Sequence, residues 1–405
     1  MVHLKEYTSL LLLMTNREGG RMKIAVFTDT FIPQYNGIVT ATISLIKGLA
    51  DRGNKVIVIA PKFKGNKEFK YNNVEVIRVG SIPALFYPEF RLASPISFKI
   101  FKLFKKEKVD VVLFQATLPL GLSAILYSKI FRRPLIGTFH TLVTHEDYLK
   151  HIKINYRFFT RFGWFYCKLF YNRANLITSP SSVIKKQLIN ERFKPRIKTV
   201  SNGIRLDIFD NSKSKEIKNR YNRNGPILLF VGRIAHEKNL HYLIDCFELI
   251  KDKNKKVKLL IVGDGPQLSN LKEYADKKNL RDSIIFTGRL DHAKLVKTGI
   301  FGACDLFVTA STTETQGIST LEAQANGLVC VGVDEGGIKD LIRNNYNGFL
   351  VKNGDKSAFA NSVLTLLSNK KAYNKMKANT LKEVKKHEMK NVLDEWEKEF
   401  KILTK

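Results

Sequence analysis

Ser311-Thr-Thr-Glu314-Thr-Gln316-Gly317-Ile318-Ser-Thr-Leu-Glu322-Ala323 is the stretch on which the fold turns. An apolar run, Leu306-Phe-Val-Thr-Ala-Ser311, leads into it and reads as a strand, and a helix-length segment ending near Asn326-Gly327 follows. Glu314 then lies in the loop at the strand's carboxyl end, and Glu322 about one turn inside the helix. In an open α/β sheet ligands bind at that edge, and the amino end of a helix favours anionic groups. Two carboxylates beside such a helix end suit a ligand that carries hydroxyls and a diphosphate, as a nucleotide sugar does. Read alone, the same pair serves equally as a loop charge and a carboxylate favoured by the helix dipole.

Outward from this segment the pattern repeats. Lys23–Asp29, Lys55–Pro61, Val74–Val79, Val109–Phe114, Pro134–His140, Asn175–Pro180 and Ile197–Asn202 are nearly continuous apolar runs separated by helix-length stretches. Parallel strands covered on both faces have that composition. A polar interval, 210–225, interrupts the series. The pattern then restarts with Pro226–Gly232, Val257–Gly263, Ser283–Gly288, Leu306–Ser311, Leu328–Val333 and Gly348–Val351. The competing topology is one large α/β domain with an insertion, but a restart after a charged interval favours two domains. The expected boundaries are 22–205 and 206–385, with a final helix in 386–405 that can pack back on the first domain through Trp396 and Phe400. Residues 1–21 read as an extension ahead of the first strand, or an over-extended start with Met22 as the natural beginning.

With 405 residues and 44% hydrophobic content the chain can build two proper cores. Its four cysteines, Cys167, Cys246, Cys304 and Cys330, are scattered, which argues for a reducing compartment and against a zinc or disulfide framework. No run approaches the roughly 18 to 20 apolar residues of a membrane-spanning helix. The formal net charge of +31 demands a partner or a reason. Nucleic acid, an anionic membrane and a lysine-favouring codon bias are the candidates. A basic nucleic-acid-binding protein stays open as a reading of a different class, although no DNA- or RNA-binding motif supports it.

The first strand runs into Thr28-Asp29-Thr30-Phe31-Ile-Pro33-Gln-Tyr-Asn36-Gly37, where Gly37 opens the next helix and leaves backbone N–H groups accessible to a phosphate. The second half opens with Gly232-Arg233-Ile-Ala-His-Glu237-Lys238-Asn239, whose guanidinium and ammonium can clamp a diphosphate and neutralise a leaving nucleotide. In so basic a chain an Arg/Lys pair is equally at home on a solvated surface. His140, in Gly137-Thr-Phe-His140-Thr141, ends a strand, and a lone histidine there is usually structural. His145 and His151 in Thr144-His-Glu-Asp147-Tyr148-Leu-Lys150-His151 lack the spacing of a helical metal pair, and no Asp-x-Asp occurs in the chain. No metal site is therefore expected.

Taken in order, Asn36-Gly37, Phe139-His140-Thr141, Ser201-Asn-Gly203, Gly232-Arg-x4-Lys238-Asn239, Gly263-Asp-Gly-Pro266, Phe286-Thr-Gly-Arg289, Glu314-x7-Glu322 and Glu335-Gly-Gly resemble the signatures of the family 4 retaining glycosyltransferases. The resemblance implies the GT-B fold, in which two Rossmann-like, doubly wound parallel-sheet domains face a central cleft. It implies transfer of a hexose with retention of anomeric configuration, glucose in first place, from a UDP-sugar donor (UDP-glucose or UDP-galactose), with a family 4 galactosyl- or mannosyltransferase as the alternative. Lacking Asp-x-Asp, the chain is expected to need no metal or other cofactor. Carried onto this chain, Arg233, Lys238 and the Gly37 loop would stabilise the leaving diphosphate. Glu322 would hold the ribose hydroxyls, and Glu314, with Gln316, Gly317 and Ile318, would lie against the sugar and phosphates. Arg289 would border the base, and His140 would contact the transferred sugar. Asn36, Glu314-Thr-Gln-Gly317 and Asp147-Tyr-Leu-Lys-His151 resemble the lipid-directed monoglucosyl-diacylglycerol synthases, although the Lys150-His151 setting is a weaker match. That subgroup implies diacylglycerol as acceptor, with other lipids and soluble glycans as alternatives, and a peripheral position on the cytoplasmic face of the cell membrane.

A membrane-binding segment is expected at Pro95-Ile-Ser-Phe98-Lys99-Ile-Phe101-Lys102-Leu-Phe104-Lys105-Lys106-Glu-Lys108, which is basic and aromatic at once. On a helix Lys99, Lys102 and Lys106 form one stripe and Ile96, Ile100 and Leu103 another, an arrangement suited to anionic headgroups. Asn155–Arg173 is a second stretch of the same kind. Both serve equally well as helices that bury aromatics in the first core and solvate their cations.

Overall fold

The computed structural model describes residues 21–34, 36–63, 69–84, 87–140 and 156–405. Its first sheet comprises β1 (Lys23–Phe27), β2 (Lys55–Pro61), β3 (Val74–Val79), β6 (Val111–Phe114), β7 (Leu135–Thr138), β8 (Leu176–Ser179) and β9 (Arg196–Thr199), a parallel array in the order β3-β2-β1-β6-β7-β8-β9. A separate antiparallel hairpin, β4 (Ser81–Ala84) and β5 (Tyr87–Ala93), follows β3. Around this sheet stand α1 (Gly37–Asp51), α2 (Phe98–Glu107), α3 (Pro119–Ile130), α4 (Tyr156–Tyr171) and α5 (Ser182–Asn190).

The second sheet is β10 (Ile227–Val231), β11 (Lys258–Val262), β12 (Ile284–Gly288), β13 (Leu306–Thr309), β14 (Val329–Val333) and β15 (Gly348–Val351), parallel in the order β12-β11-β10-β13-β14-β15. Its helices are α6 (Ser214–Asn222), α7 (Leu240–Lys253), α8 (Leu268–Lys277), α9 (His292–Leu295), α10 (Ile300–Ala303), α11 (Ile318–Ala325), α12 (Lys356–Ser368) and α13 (Lys370–Val384), and α14 (Met389–Thr404) closes the chain. Two Rossmann-like parallel-sheet domains are thus present. Strand order reverses between β1 and β6 and again between β10 and β13, and each reversal opens a crevice at the strands' carboxyl ends.

Burial on both faces explains why the inner strands read as unbroken apolar runs. Ile24 and Val26 of β1 enter one core with Leu45, Ile46 and Val58, while Ala25 and Phe27 enter another with Ile100, Phe114 and Tyr127. The first of these cores is completed from the far end of the chain by Leu393, Trp396 and Phe400 of α14. Arg52 of α1 fixes that helix through Asp394 (2.6 Å) and Glu397 (3.0 Å), and Lys198 and Arg196 of β9 both hold Glu399. The two segments that cross between the sheets also bond to each other, Ile204 N donating to His387 O and Met389 N to Ile204 O, each at 2.8 Å.

Two features depart from the sequence reading. The β4–β5 hairpin was not anticipated, because Pro83 and Pro88 interrupt any strand-like run there. Phe104, expected on the membrane-binding face, is 2% exposed and packs against Tyr127 (ring centroids 5.5 Å apart) and Phe131 (5.3 Å). Its place one turn after Ile100 puts it on the core side of α2.

Candidate active site

β13 ends at Thr309 and the chain turns through Ala310–Gly317 into α11. Gly317 caps that helix at a φ of +93°, a left-handed conformation that a side chain would strain. The Glu335-Gly-Gly segment lies directly on this loop. Gly337 N donates to Glu314 O at 2.6 Å, and a Cβ on Gly337 would stand 2.0 Å from Thr315 O, so only glycine permits the contact.

Glu314 is half-buried, and its Oε1 receives Lys238 Nζ at 2.5 Å. Lys238 is carried by the turn that follows β10, as is Arg233, whose Nη2 donates to Glu237 Oε1 at 2.9 Å. Strand ends on either side of the β10/β13 crevice therefore bring two cations and Glu314 to one place. Each cation faces a carboxylate that a phosphate oxygen can replace.

Glu322 of α11 is 3% exposed, and its Oε1 accepts from His292 Nε2 at 2.6 Å. Sequence reasoning missed His292. It stands three residues after Arg289, but nothing in the local pattern reveals that it reaches α11. Burial works against its charged form, yet the bond and charge of Glu322, with Asp291, prevail and raise its pKa above the ordinary value.

Gln316 was expected among the donor contacts, and the structure turns its side chain elsewhere. Its Oε1 accepts from Asn202 N (2.9 Å) and its Nε2 donates to Ser201 Oγ (2.7 Å), with 1% exposure. The side chain braces the Glu314 loop against the domain junction, where His387 Nδ1 also reaches Ser201 Oγ at 3.0 Å.

From the first domain, Gly37 opens α1, and Asn36 Oδ1 caps the helix by accepting from Val39 N at 2.9 Å. A Cβ on Gly37 would lie 3.8 Å from Ile318 Cδ1, so the amino end of α1 meets the amino end of α11 across the two domains. Each end carries roughly half a positive charge. His140 lies just beyond β7, half-buried, with Nε2 2.6 Å from Gln115 Oε1. Desolvation pushes its pKa down to about 4, which leaves the ring neutral at ordinary pH. With Nε2–H donating to Gln115, Nδ1 is left as an acceptor. Arg289 is exposed on the loop after β12. His145, Asp147, Tyr148, Lys150 and His151 lie outside the described residues.

Residues 35–208 match the family described as Glycosyltransferase Family 4, and residues 211–383 match Glycosyl transferases group 1. The chain belongs to the family 4 glycosyltransferases. Among similar proteins are two alpha-monoglucosyldiacylglycerol synthases. That of Streptococcus pneumoniae is 29% identical over 81% of this chain and 75% of its own. That of Acholeplasma laidlawii is 27% identical over 76% and 79%. A GDP-mannose-dependent alpha-mannosyltransferase of Corynebacterium glutamicum is 26% identical over 82% and 76%. In fold, this glycosyltransferase is similar to a sucrose-phosphate synthase from Thermosynechococcus elongatus, with a TM-score of 0.79 at 18% identity over 95% and 99% of the two chains. It is also similar to the Anabaena protein HepE in complex with UDP, with a TM-score of 0.74 at 19% identity over 94% and 100%.

The segment expected to bind membranes is part of a wider surface on this glycosyltransferase. Lys99, Lys102, Lys105 and Lys106 are exposed on α2 beside Phe98 and Phe101. Neighbouring helices on the same side of the first sheet expose Leu122 and Ile130 of α3, and Phe162 and Phe165 of α4. No helix among the described residues is long and apolar enough to cross a membrane.

Proposed function

We propose that this glycosyltransferase moves a hexose, glucose in first place, from a UDP-sugar to the free hydroxyl of diacylglycerol, with retention of the anomeric configuration. One observation carries the donor half: the amino ends of α1 and α11 meet beside Arg233, Lys238, Glu314 and Glu322. Two helix ends and two side-chain cations match the charge of a diphosphate, and the carboxylates match hydroxyls on either side of it. In this reading Lys238 and Arg233 exchange Glu314 and Glu237 for phosphate oxygens and stabilise the charge that develops as the glycosyl bond breaks. Glu314, released from Lys238, accepts from the sugar hydroxyls, and Glu322 from the ribose. Arg289 lies at the base, and the neutral His140 offers Nδ1 to a sugar hydroxyl. The departing phosphate takes the acceptor's proton on the same face. Side-chain cations do the work of a bridging metal, in keeping with a sequence that has no Asp-x-Asp.

Two observations support the lipid half. The similar enzymes from Streptococcus pneumoniae and Acholeplasma laidlawii are named for glucosyldiacylglycerol synthesis. The α2–α4 surface combines exposed lysines with Phe98, Phe101, Phe162 and Phe165, a composition that suits the interface of an anionic bilayer. In this reading the enzyme works peripherally, on the cytoplasmic leaflet of the cell membrane.

A panel of UDP- and GDP-sugars incubated with vesicles of diacylglycerol and anionic lipid, with products identified by mass spectrometry, tests the reading. UDP-glucose is expected to give monoglucosyldiacylglycerol. A product from GDP-mannose alone would move the enzyme to the side of its mannosyltransferase relative.

A further inference from the structure

Glu322 and His292 come from different elements. Glu322 sits on α11, which follows β13, whereas His292 begins the short α9, which follows β12. Their 2.6 Å bond ties the helix that bears the carboxylate to the loop that bears Arg289. His292 belongs to no motif of the sequence reading. Its partner is almost wholly buried, so the bond fixes the rotamer of a carboxylate that water cannot fully solvate. A carboxylate held in place before the ligand arrives loses less freedom on binding.

We propose that His292 is a positioning residue for the donor nucleotide: it holds Glu322 to the loop after β12, so that one unit grips ribose and base together. The inference rests on the donor-site reading above, in which Glu322 accepts from the ribose. His292 occupies one carboxylate oxygen and leaves the other to the hydroxyls.

The pairing makes donor affinity depend on pH. Three charged groups face the imidazole: Glu322 from α11, the adjacent Asp291, and Lys47 from α1 across the cleft. The carboxylates prevail, and the charged form persists above the ordinary histidine range. Charge is thus retained on the acidic side and lost as pH rises through the raised pKa. Below that point imidazolium grips Glu322 with a charge-assisted bond and adds a positive charge beside an anionic ligand. Above it only a neutral hydrogen bond remains.

Calorimetric titration of the full chain with UDP, at about pH 6 and about pH 8.5, decides the matter for wild type, H292A, H292Q and E322Q. H292A is expected to weaken UDP roughly tenfold, the scale of a lost hydrogen bond to a charged group. Glutamine places an N–H near the position of Nε2, so H292Q is expected to stay within about threefold of wild type at the higher pH. The ratio of wild-type to H292Q affinity is expected to be larger at the lower pH, a comparison that cancels titration of UDP itself. A merely structural role would lower thermal stability and leave that ratio unchanged. Wild-type affinity in H292A, with E322Q weakened, overturns the inference and leaves the donor site standing. Wild-type affinity in E322Q overturns both. Should H292A fail to fold, an equal wild-type to H292Q ratio at the two pH values overturns the proposal by itself.

Discussion

Glu314 and Glu322 are eight residues apart in sequence and have different partners, Lys238 and His292 respectively. Their removal should therefore have different consequences. Glu322→Ala is expected to weaken UDP by roughly 1–3 kcal/mol through lost hydrogen bonds to buried hydroxyls. Glu314→Ala releases Lys238 to the phosphates and is expected to leave UDP affinity unchanged or tighter while turnover falls. Calorimetry with UDP beside a transfer assay separates the two, and equal loss of UDP affinity in both variants contradicts the assignment. Arg233→Ala and Lys238→Ala are each expected to slow transfer by roughly 100-fold, and donor hydrolysis with it. Near-normal rates with an intact circular dichroism spectrum would make the pair solvated surface. His140 gives a pH prediction. Its folded pKa is about 4 against an ordinary 6.5, so the unfolded chain binds the proton first as pH falls. Stability should decline as pH drops from about 6.5 to 4, and His140→Asn should flatten that part of a denaturant-midpoint profile. An unchanged slope contradicts the burial argument.

At the scale of elements, α2 divides into a core side and a solvent side. Lys99, Lys102 and Lys106 are on the solvent side with Phe98, while Ile100, Leu103 and Phe104 are buried. A triple Lys→Glu change at 99, 102 and 106 is expected to release the enzyme from anionic vesicles, at about 1 kcal/mol per lysine, without altering UDP affinity. Phe104→Ala is expected to cost about 3–5 kcal/mol of stability and to spare vesicle binding in the fraction that folds. Sedimentation with vesicles and thermal melts check both, and a triple variant that still sediments moves the docking surface to α4. The inner strands were legible because they are buried on two faces and so carry unbroken apolar runs, whereas the edge strands β3 and β9 are only partly buried and admit Glu75, Arg78, Arg196 and Lys198. The hairpin was not, since its prolines and aromatics follow no period. Phe104 was readable in principle, for it lies four residues after Ile100, but its basic neighbours drew it to the wrong side. His292 and the Gln316 side chain were beyond the sequence. Both act through partners far along the chain, His292 on α11 and Gln316 at Ser201 and Asn202.

For the whole molecule, the function depends on two domains meeting at one place. The chain crosses between the sheets twice, the crossings bond to each other at Ile204, His387 and Met389, and α14 returns to complete the first core. Ser182 of α5 holds Asp340 on the other domain, with its Oγ donating to Asp340 Oδ1 at 2.7 Å, and Gln316 braces the donor loop on the junction. These contacts bring the first domain's α1 amino end against the Glu314 loop and the amino end of α11 on the second domain. Retention follows from that geometry if acceptor and leaving phosphate occupy the same face of the sugar. The most direct measurement of this claim is the anomeric configuration, by nuclear magnetic resonance, of the lipid formed from UDP-glucose and diacylglycerol vesicles. An α-linked monoglucosyldiacylglycerol is the result expected, whereas a β-linked product, or glucose released to water with no glycolipid formed, would contradict the account.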